Sequence, residues 1–130
     1  MSILVAGGAG YIGAHVVRLL LQRGDEVIVV DDLSYGTPER VAGADLVELD
    51  VASGGAVDAL TDVMGRRGVS AVIHFAARKQ VGESVARPAW YYQQNVGGLA
   101  NMLLAMEGAG VGQMIFSSSA AVYGMPPVEV

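Results

Sequence analysis

An apolar burst that runs into glycines and then into a helical pattern most restricts what this chain can become: "SILVAGGAGYIGAHVVRLLLQRG". Residues 3–6 are apolar over a length that suits a buried strand, and the glycines after them punctuate a turn. Helical spacing resumes through Ile12, Val16, Leu19 and Leu20, and Gly24 is placed to end the helix. The same unit recurs. Residues 27–30 form a second apolar run that stops at Asp31-Asp32, "LSYGTPERVAG" reads as a loop with one short helical piece, and residues 45–49 give a third strand. Val57, Leu60, Val63 and Met64 then share a helix face, "GVSAVIHFA" supplies a fourth strand, and residues 111–116 a fifth. Between the last two, "WYYQQNVGGLANMLLAMEGAG" carries a long helical pattern through Tyr92, Val96, Leu99, Leu103 and Met106, weakened at Gly97 and Gly98. Short apolar strands separated by helices predict an α/β fold, a three-layer parallel sheet of about five strands with helices on both faces. Right-handed crossovers limit its topology.

The 130 residues match the size of one domain, and residues 1–130 are read as a single unit with little left for a separate substrate domain. At 52% hydrophobic and 16% charged, the chain has the composition of a packed core rather than of a disordered tail. The absence of cysteine excludes a disulfide framework or a thiolate metal site. A net charge of -5 argues against a broad nucleic-acid surface, which needs a basic field. The N-terminus lacks a positively charged leader region, and Arg18 and Arg23 interrupt the first helical stretch well short of a membrane span. A soluble, cytoplasmic protein with no nucleic-acid or membrane partner is the expectation.

The glycines carry the first chemical signal. Gly8, Gly10 and Gly13 have the G-x-G-x-x-G spacing, and Gly7 adds a G-x-x-G-x-x-G reading. Such spacing allows a tight turn, close approach of the backbone to a pyrophosphate, and a helix start at Tyr11, Ile12 and Gly13 whose N–H groups receive negative charge. It is not a Walker A loop, because no G-K-[ST] follows. Glycines also serve ordinary turns, but here they lie between a predicted strand and a predicted helix. Asp31 follows about 20 residues later at a strand end, where a carboxylate accepts ribose hydroxyls. Together these predict a Rossmann-like dinucleotide site, with NAD favoured over NADP because a 2'-phosphate would meet a carboxylate. Asp32 adds to that preference if it faces the pocket, and is otherwise a solvated loop residue. Asp50 can meet an adenine edge while Val51 touches the ring's apolar face; a helix N-cap is the alternative for Asp50. His15 and His74 read as structural, and no metal site is expected.

Strand ends in such sheets face the ligand. "HFAARKQVGES" can set backbone beside the nicotinamide while Lys79 reaches a ribose or phosphate oxygen; Arg78 reads as a solvated cation. In "FSSSAAVYG", Ser119 can hydrogen-bond a substrate hydroxyl, and Ser117 and Ser118 can instead satisfy strand-end backbone groups. No GxSxG elbow marks a nucleophile. A serine that aids hydride chemistry needs a base beside it, which a tyrosine with a lysine one helical turn later provides. No Tyr-x-x-x-Lys occurs: Tyr11, Tyr35, Tyr91, Tyr92 and Tyr123 are followed four places on by His15, Glu39, Asn95, Val96 and Pro127.

"GGAGYIG", "VVDDLS", "HFAARKQVGES", "YYQQNVGG" and "FSSSAAVYG", in this order over almost the whole chain, resemble the N-terminal part of the UDP-glucose 4-epimerase family of extended short-chain dehydrogenases/reductases. Related sugar-nucleotide dehydratases usually carry threonine and acidic residues in place of the last stretch. The resemblance implies NAD as cofactor, a UDP-hexose as substrate, and removal and return of a C4 hydride on opposite faces of the sugar. It implies that Gly7, Gly10 and Gly13 form the pyrophosphate turn, that Asp31 holds the adenine ribose, and that Asp50 and Val51 contact adenine. Phe75, Ala76, Ala77, Lys79, Asn95 and Ser117 would face the cofactor, and Ser119 the reacting hydroxyl as a catalytic residue. Ala77, Arg78 and Asp32 depart from the usual glycine, leucine and asparagine. The family's catalytic tyrosine and lysine, and the lobe for the UDP-sugar, would lie beyond Val130. A nucleotide-sugar dehydratase or reductase fragment and a non-catalytic NAD-binding module are the alternatives. Relatives of this kind often pair through helices, so a homodimer through residues 85–106 is a further expectation.

Overall fold

The computed structural model describes residues 1–125 and 127. Five parallel strands form one sheet: β1 (Ser2–Ala6), β2 (Glu26–Asp31), β3 (Asp45–Glu48), β4 (Ala71–His74) and β5 (Met114–Phe116), in the spatial order β3-β2-β1-β4-β5. All five residues of β1 are buried, because it is central and covered on both faces. In register, Leu4 stands beside Ile28 and Val72, and Val5 beside Val29 and Ile73. Alternation along each strand then feeds two cores. Leu4, Ile28, Val30 and Val72 pack with Leu60 and Met64 of α2 (Ala56–Arg66) and Met102 and Met106 of α5 (Gly98–Ala109). On the other face, Ile3, Val5, Val27 and Val29 pack with Val17 and Leu20 of α1 (Tyr11–Arg23). The expected three-layer parallel fold is the observed one.

Three local expectations shift. The buried face of α1 is Gly13, Val17 and Leu20, while Ile12 and Leu19 are exposed. That helix docks glycine first, and its next inward positions fall four and seven residues on. Residues 111–113 lie outside β5: Gly110, at φ 72, caps α5, and Val111 N–H donates to Met106 O at 2.9 Å. The long helical pattern, preceded by a short helix not expected from the sequence, α3 (Val81–Ala86), is also broken into pieces: the end of α4 (Pro88–Tyr92), a π turn over Gln93–Gly97, and α5. Its inward residues are Tyr91, Gly98, Met102, Ala105 and Met106, so the stripe through Tyr92, Val96 and Leu103 faces solvent. Among the described residues, no helix is long and apolar enough to cross a membrane.

Candidate functional site

The turn after β1 is built by glycines with different reasons for being glycine. Gly7 has φ 75, and a Cβ there would sit 2.7 Å from Ala76 N; its own N–H donates to Val30 O at 2.8 Å. Any side chain would push the turn after β1 away from the loop after β4. Gly13 lets α1 start against the turn, since a Cβ would lie 2.3 Å from Gly7 O. Gly10 differs. Its φ of −73 is ordinary, and a Cβ would meet only Gly7 O, at 3.4 Å. The protein itself does not require glycine at 10; leaving out the side chain keeps the crevice beside it open. No side chain caps the start of α1, whose first N–H groups lack intrahelical acceptors.

Asp31 ends β2 and is only 9% exposed. Its Oδ2 accepts from Ala9 N–H and its Oδ1 from Leu33 N–H, each at 2.9 Å. Each oxygen keeps a second lone pair for a ribose hydroxyl. Leu33 stands at φ 58, the left-handed region that a branched residue rarely adopts. Asp32 points to the crevice: Oδ1 accepts from Ser34 N–H at 3.0 Å and Oγ–H at 2.6 Å, and Oδ2 accepts from Arg78 at 2.5 Å. Burial pushes its carboxyl up, but these donors outweigh it and hold the group below its usual range. Asp50 Oδ1 accepts from Ala52 N–H at 2.9 Å, closing a turn after β3; α2 is capped instead at Gly55, so Asp50 is no N-cap. Val51 lines the crevice and is also part of the core.

The loop after β4 is pinned from the π turn. Asn95 Oδ1 accepts from Arg78 N–H at 2.7 Å, and Asn95 Nδ2 donates to Arg78 O at 2.9 Å. The Asn95 amide is thereby a brace for the loop, while Gln94 beside it accepts from Arg78 Nε at 3.2 Å. Sequence reading took Arg78 for a solvated cation; its side chain is only 14% exposed and lies 5.3 Å from the Trp90 ring. Further along, the Tyr91 hydroxyl accepts from Gln80 N–H at 3.1 Å and donates to Glu83 Oε1 at 2.9 Å. Burial, with Glu83 beside it, pushes that phenol up, the direction opposite to a catalytic base.

A crevice of ≈ 340 Å³ opens at the C-terminal ends of β1, β2, β3 and β4. It brings together Gly7, Gly10, Tyr11, Asp31, Asp32, Asp50, Val51, Phe75, Ala76, Ala77, Lys79 and Asn95. Ile12, Gly13, Ser117 and Ser119 are not among its lining residues. Ser117 N–H extends the ladder to His74 O at 3.1 Å, and Ser119 Oγ accepts from Ala121 N–H at 3.1 Å, capping the 3-10 turn Ala120–Tyr123. Sequence reading missed Ser34, Tyr35, Gly36, Arg40, Arg78 and Gln94 on the lining. Gly36 alone left a composition signal, a glycine soon after a strand end. The lining balances Asp31, Asp32 and Asp50 against Arg40, Arg78 and Lys79, although the chain is net acidic. Open glycine backbone, unused helix-start N–H groups, a ribose-type carboxylate and apolar Val51 are what a dinucleotide takes up, so the residues present fit one. Among the described residues, no cluster of His, Cys, Asp or Glu can hold a metal ion.

The chain is 49% identical over 129 residues to a UDP-glucose 4-epimerase of Erwinia amylovora, covering 95% of this chain and 38% of that protein. It is 44% identical over 135 residues to a Klebsiella pneumoniae UDP-glucose 4-epimerase, covering 98% of this chain and 95% of that sequence. Among solved structures, the UDP-glucose 4-epimerase of Bifidobacterium longum in complex with NAD+ and UDP matches with a TM-score of 0.87 and 38% identity, over 98% of this chain and 40% of that one. The chain thus spans about two fifths of the Bifidobacterium relative. The model of the NAD dependent epimerase/dehydratase family matches residues 3–129, and the chain belongs to that family.

Proposed function

We propose that this chain binds NAD in the crevice and forms the cofactor-holding portion of an enzyme that interconverts UDP-glucose and UDP-galactose. The observation that carries the reading is the convergence of Gly7, Gly10, Asp31, Asp50 and Lys79 on one crevice at the strand ends. Similarity to UDP-glucose 4-epimerases supports it. Bound NAD supplies the hydride acceptor and donor at C4 of the sugar. The N–H groups at the start of α1, with the open space at Gly10, receive the pyrophosphate. Asp31 accepts the adenine-ribose hydroxyls, and Asp50 with Val51 holds the adenine. Phe75, Ala76 and Ala77 wall the nicotinamide side, Lys79 pairs with a ribose or phosphate oxygen, and Asn95 fixes the loop that carries them. Ser117 and Ser119 leave β5 toward the sugar, and Ser119 keeps its O–H free to hydrogen-bond the reacting hydroxyl while Ala121 N–H occupies a lone pair.

We assign the base that removes the hydroxyl proton to residues outside these 130, because no Tyr-x-x-x-Lys occurs among them. The sole lysine, Lys79, has Phe75 four places before it, and none of the five tyrosines has a lysine four places after it. Base and most sugar contacts are assigned to the three fifths of the Bifidobacterium relative's length that this chain does not match. Calorimetry on the folded chain tests the first part: saturable binding of NAD or NADH is expected, and none would overturn it. Turnover of UDP-galactose by the purified 130-residue chain alone would overturn the division of labour.

A further inference from the structure

Among the described residues, one ion pair spans the crevice: Arg78 Nη2 to Asp32 Oδ2, 2.5 Å. Asp32 follows β2 and Arg78 follows β4, the two strands that flank β1, so the pair crosses above the glycine turn. The guanidinium is held by more than charge. Its Nη1 donates to Ser34 Oγ at 2.6 Å and its Nε to Gln94 Oε1 at 3.2 Å, while the Trp90 and Tyr35 rings lie 5.3 and 5.8 Å away. The two side chains are 14% and 27% exposed, so solvent and salt screen them less than a surface pair.

Asp31, one residue before Asp32, presents the lone pairs that suit ribose hydroxyls. A ribose held at Asp31 would have the Asp32–Arg78 pair as its neighbour on the crevice lining. A 2'-hydroxyl finds acceptors; a 2'-phosphate needs an arginine, whose planar fork matches phosphate oxygens. Of the two arginines on the lining, Arg40 and Arg78, it is Arg78 that pairs with Asp32, and Asp32, Ser34 and Gln94 already occupy it.

We propose that Asp32 and Arg78 jointly determine which dinucleotide the crevice accepts, with Asp32 excluding a 2'-phosphate by occupying Arg78 rather than by its own neutralised charge. The inference rests on the dinucleotide reading above. It makes Arg78 a latent phosphate ligand.

Titrations of the whole chain with NADH and NADPH test it in the wild type, Asp32→Ala, Arg78→Leu and the double variant. Asp32→Ala should raise NADPH affinity about tenfold, the scale of one charge-assisted hydrogen bond. Arg78→Leu should lower NADPH affinity below wild type, because Asp32 is then unmasked. The double variant should lose the gain. Absence of a gain in Asp32→Ala, or a gain that survives in the double variant, would overturn the proposal; so would a gain that is lost when Arg40→Leu is added to Asp32→Ala with Arg78 intact. NADH binding reports separately on the underlying reading: a folded wild type that binds no NADH overturns both, whereas NADH binding without the NADPH pattern overturns this inference alone. Asp32→Ser replaces Asp32→Ala if the latter fails to fold, with the same expected gain.

Discussion

Asp31 Oδ2 accepts the Ala9 N–H at 2.9 Å, which fastens the end of β2 to the glycine turn after β1. Its other oxygen accepts from Leu33 N–H and holds that residue in its left-handed conformation. One carboxylate therefore sets the shape of both crevice walls while keeping lone pairs for a ligand. Shape and binding are coupled at this residue, and a substitution there should show both.

Asp31→Ala is expected to leave the Ala9 N–H buried without an acceptor, at a cost of about 1–3 kcal/mol. Urea unfolding should show that loss, and NADH titration should show binding abolished. Asp31→Asn keeps a single carbonyl acceptor and should fall between. An unchanged unfolding midpoint in Asp31→Ala would show that the bond to Ala9 does not fasten the turn.

Gly10 and Gly13 should separate binding from stability. A Cβ at Gly13 would lie 2.3 Å from backbone Gly7 O, so Gly13→Ala must displace α1, with a loss of about 1–3 kcal/mol typical of overpacking. At Gly10 the space is open, and Gly10→Ala should cost at most about 1 kcal/mol, the preference of a helix N-cap for glycine over alanine. NADH affinity should nevertheless fall at least tenfold in Gly10→Ala. Equal destabilisation of the two variants would remove the distinction.

The parts of the fold that were legible in the sequence are those that local pattern determines. Strand ends show up as apolar runs stopping at Gly7, Asp31 and Asp50, and the glycine turn is read from spacing because its steric needs lie within a few residues. The face of α5 was legible only in part: Met106 belongs to the expected pattern and is buried, but the helix carries apolar residues on both sides, and only docking selects Met102 over Leu103 and Leu104. Arg78 was misread for a related reason. Its partner Asp32 is 46 residues away, and nothing local tells a paired arginine from a solvated one. Gly36 belongs with the glycine turn in space, since a Cβ there would sit 2.6 Å from the Ala9 carbonyl, yet it falls outside the motif's spacing.

Asn95 and Gln94 are neighbours with separable roles. Asn95 clamps both backbone groups of Arg78, so Asn95→Ala should loosen the loop after β4 and speed amide exchange at residues 76–80. Gln94→Ala removes only a 3.2 Å contact to a side chain and should leave that exchange near wild type. NADH affinity should follow the loop, weakening more in Asn95→Ala. Faster exchange in Gln94→Ala than in Asn95→Ala would reverse the assignment.

His74 should make stability depend on pH. It is 2% exposed at the end of β4, stacked on Phe116 at 5.9 Å between ring centroids, and among the described residues nothing partners its Nδ1. Burial pushes the imidazole below its ordinary value of 6.5, only partly offset by the Ala76 backbone. With the folded value depressed, the unfolded chain binds the proton first as pH falls. Stability is thus full above the unfolded value and declines as pH falls below it, levelling once the folded histidine also protonates. One proton limits the slope to about 1.4 kcal/mol per pH unit. Thermal midpoints measured from pH 7.5 to about 5.5, above the ordinary carboxylate range, should fall in the wild type and stay nearly flat in His74→Leu. The variant fills the site with an apolar side chain that cannot titrate; a slope that persists in it would place the titrating group elsewhere.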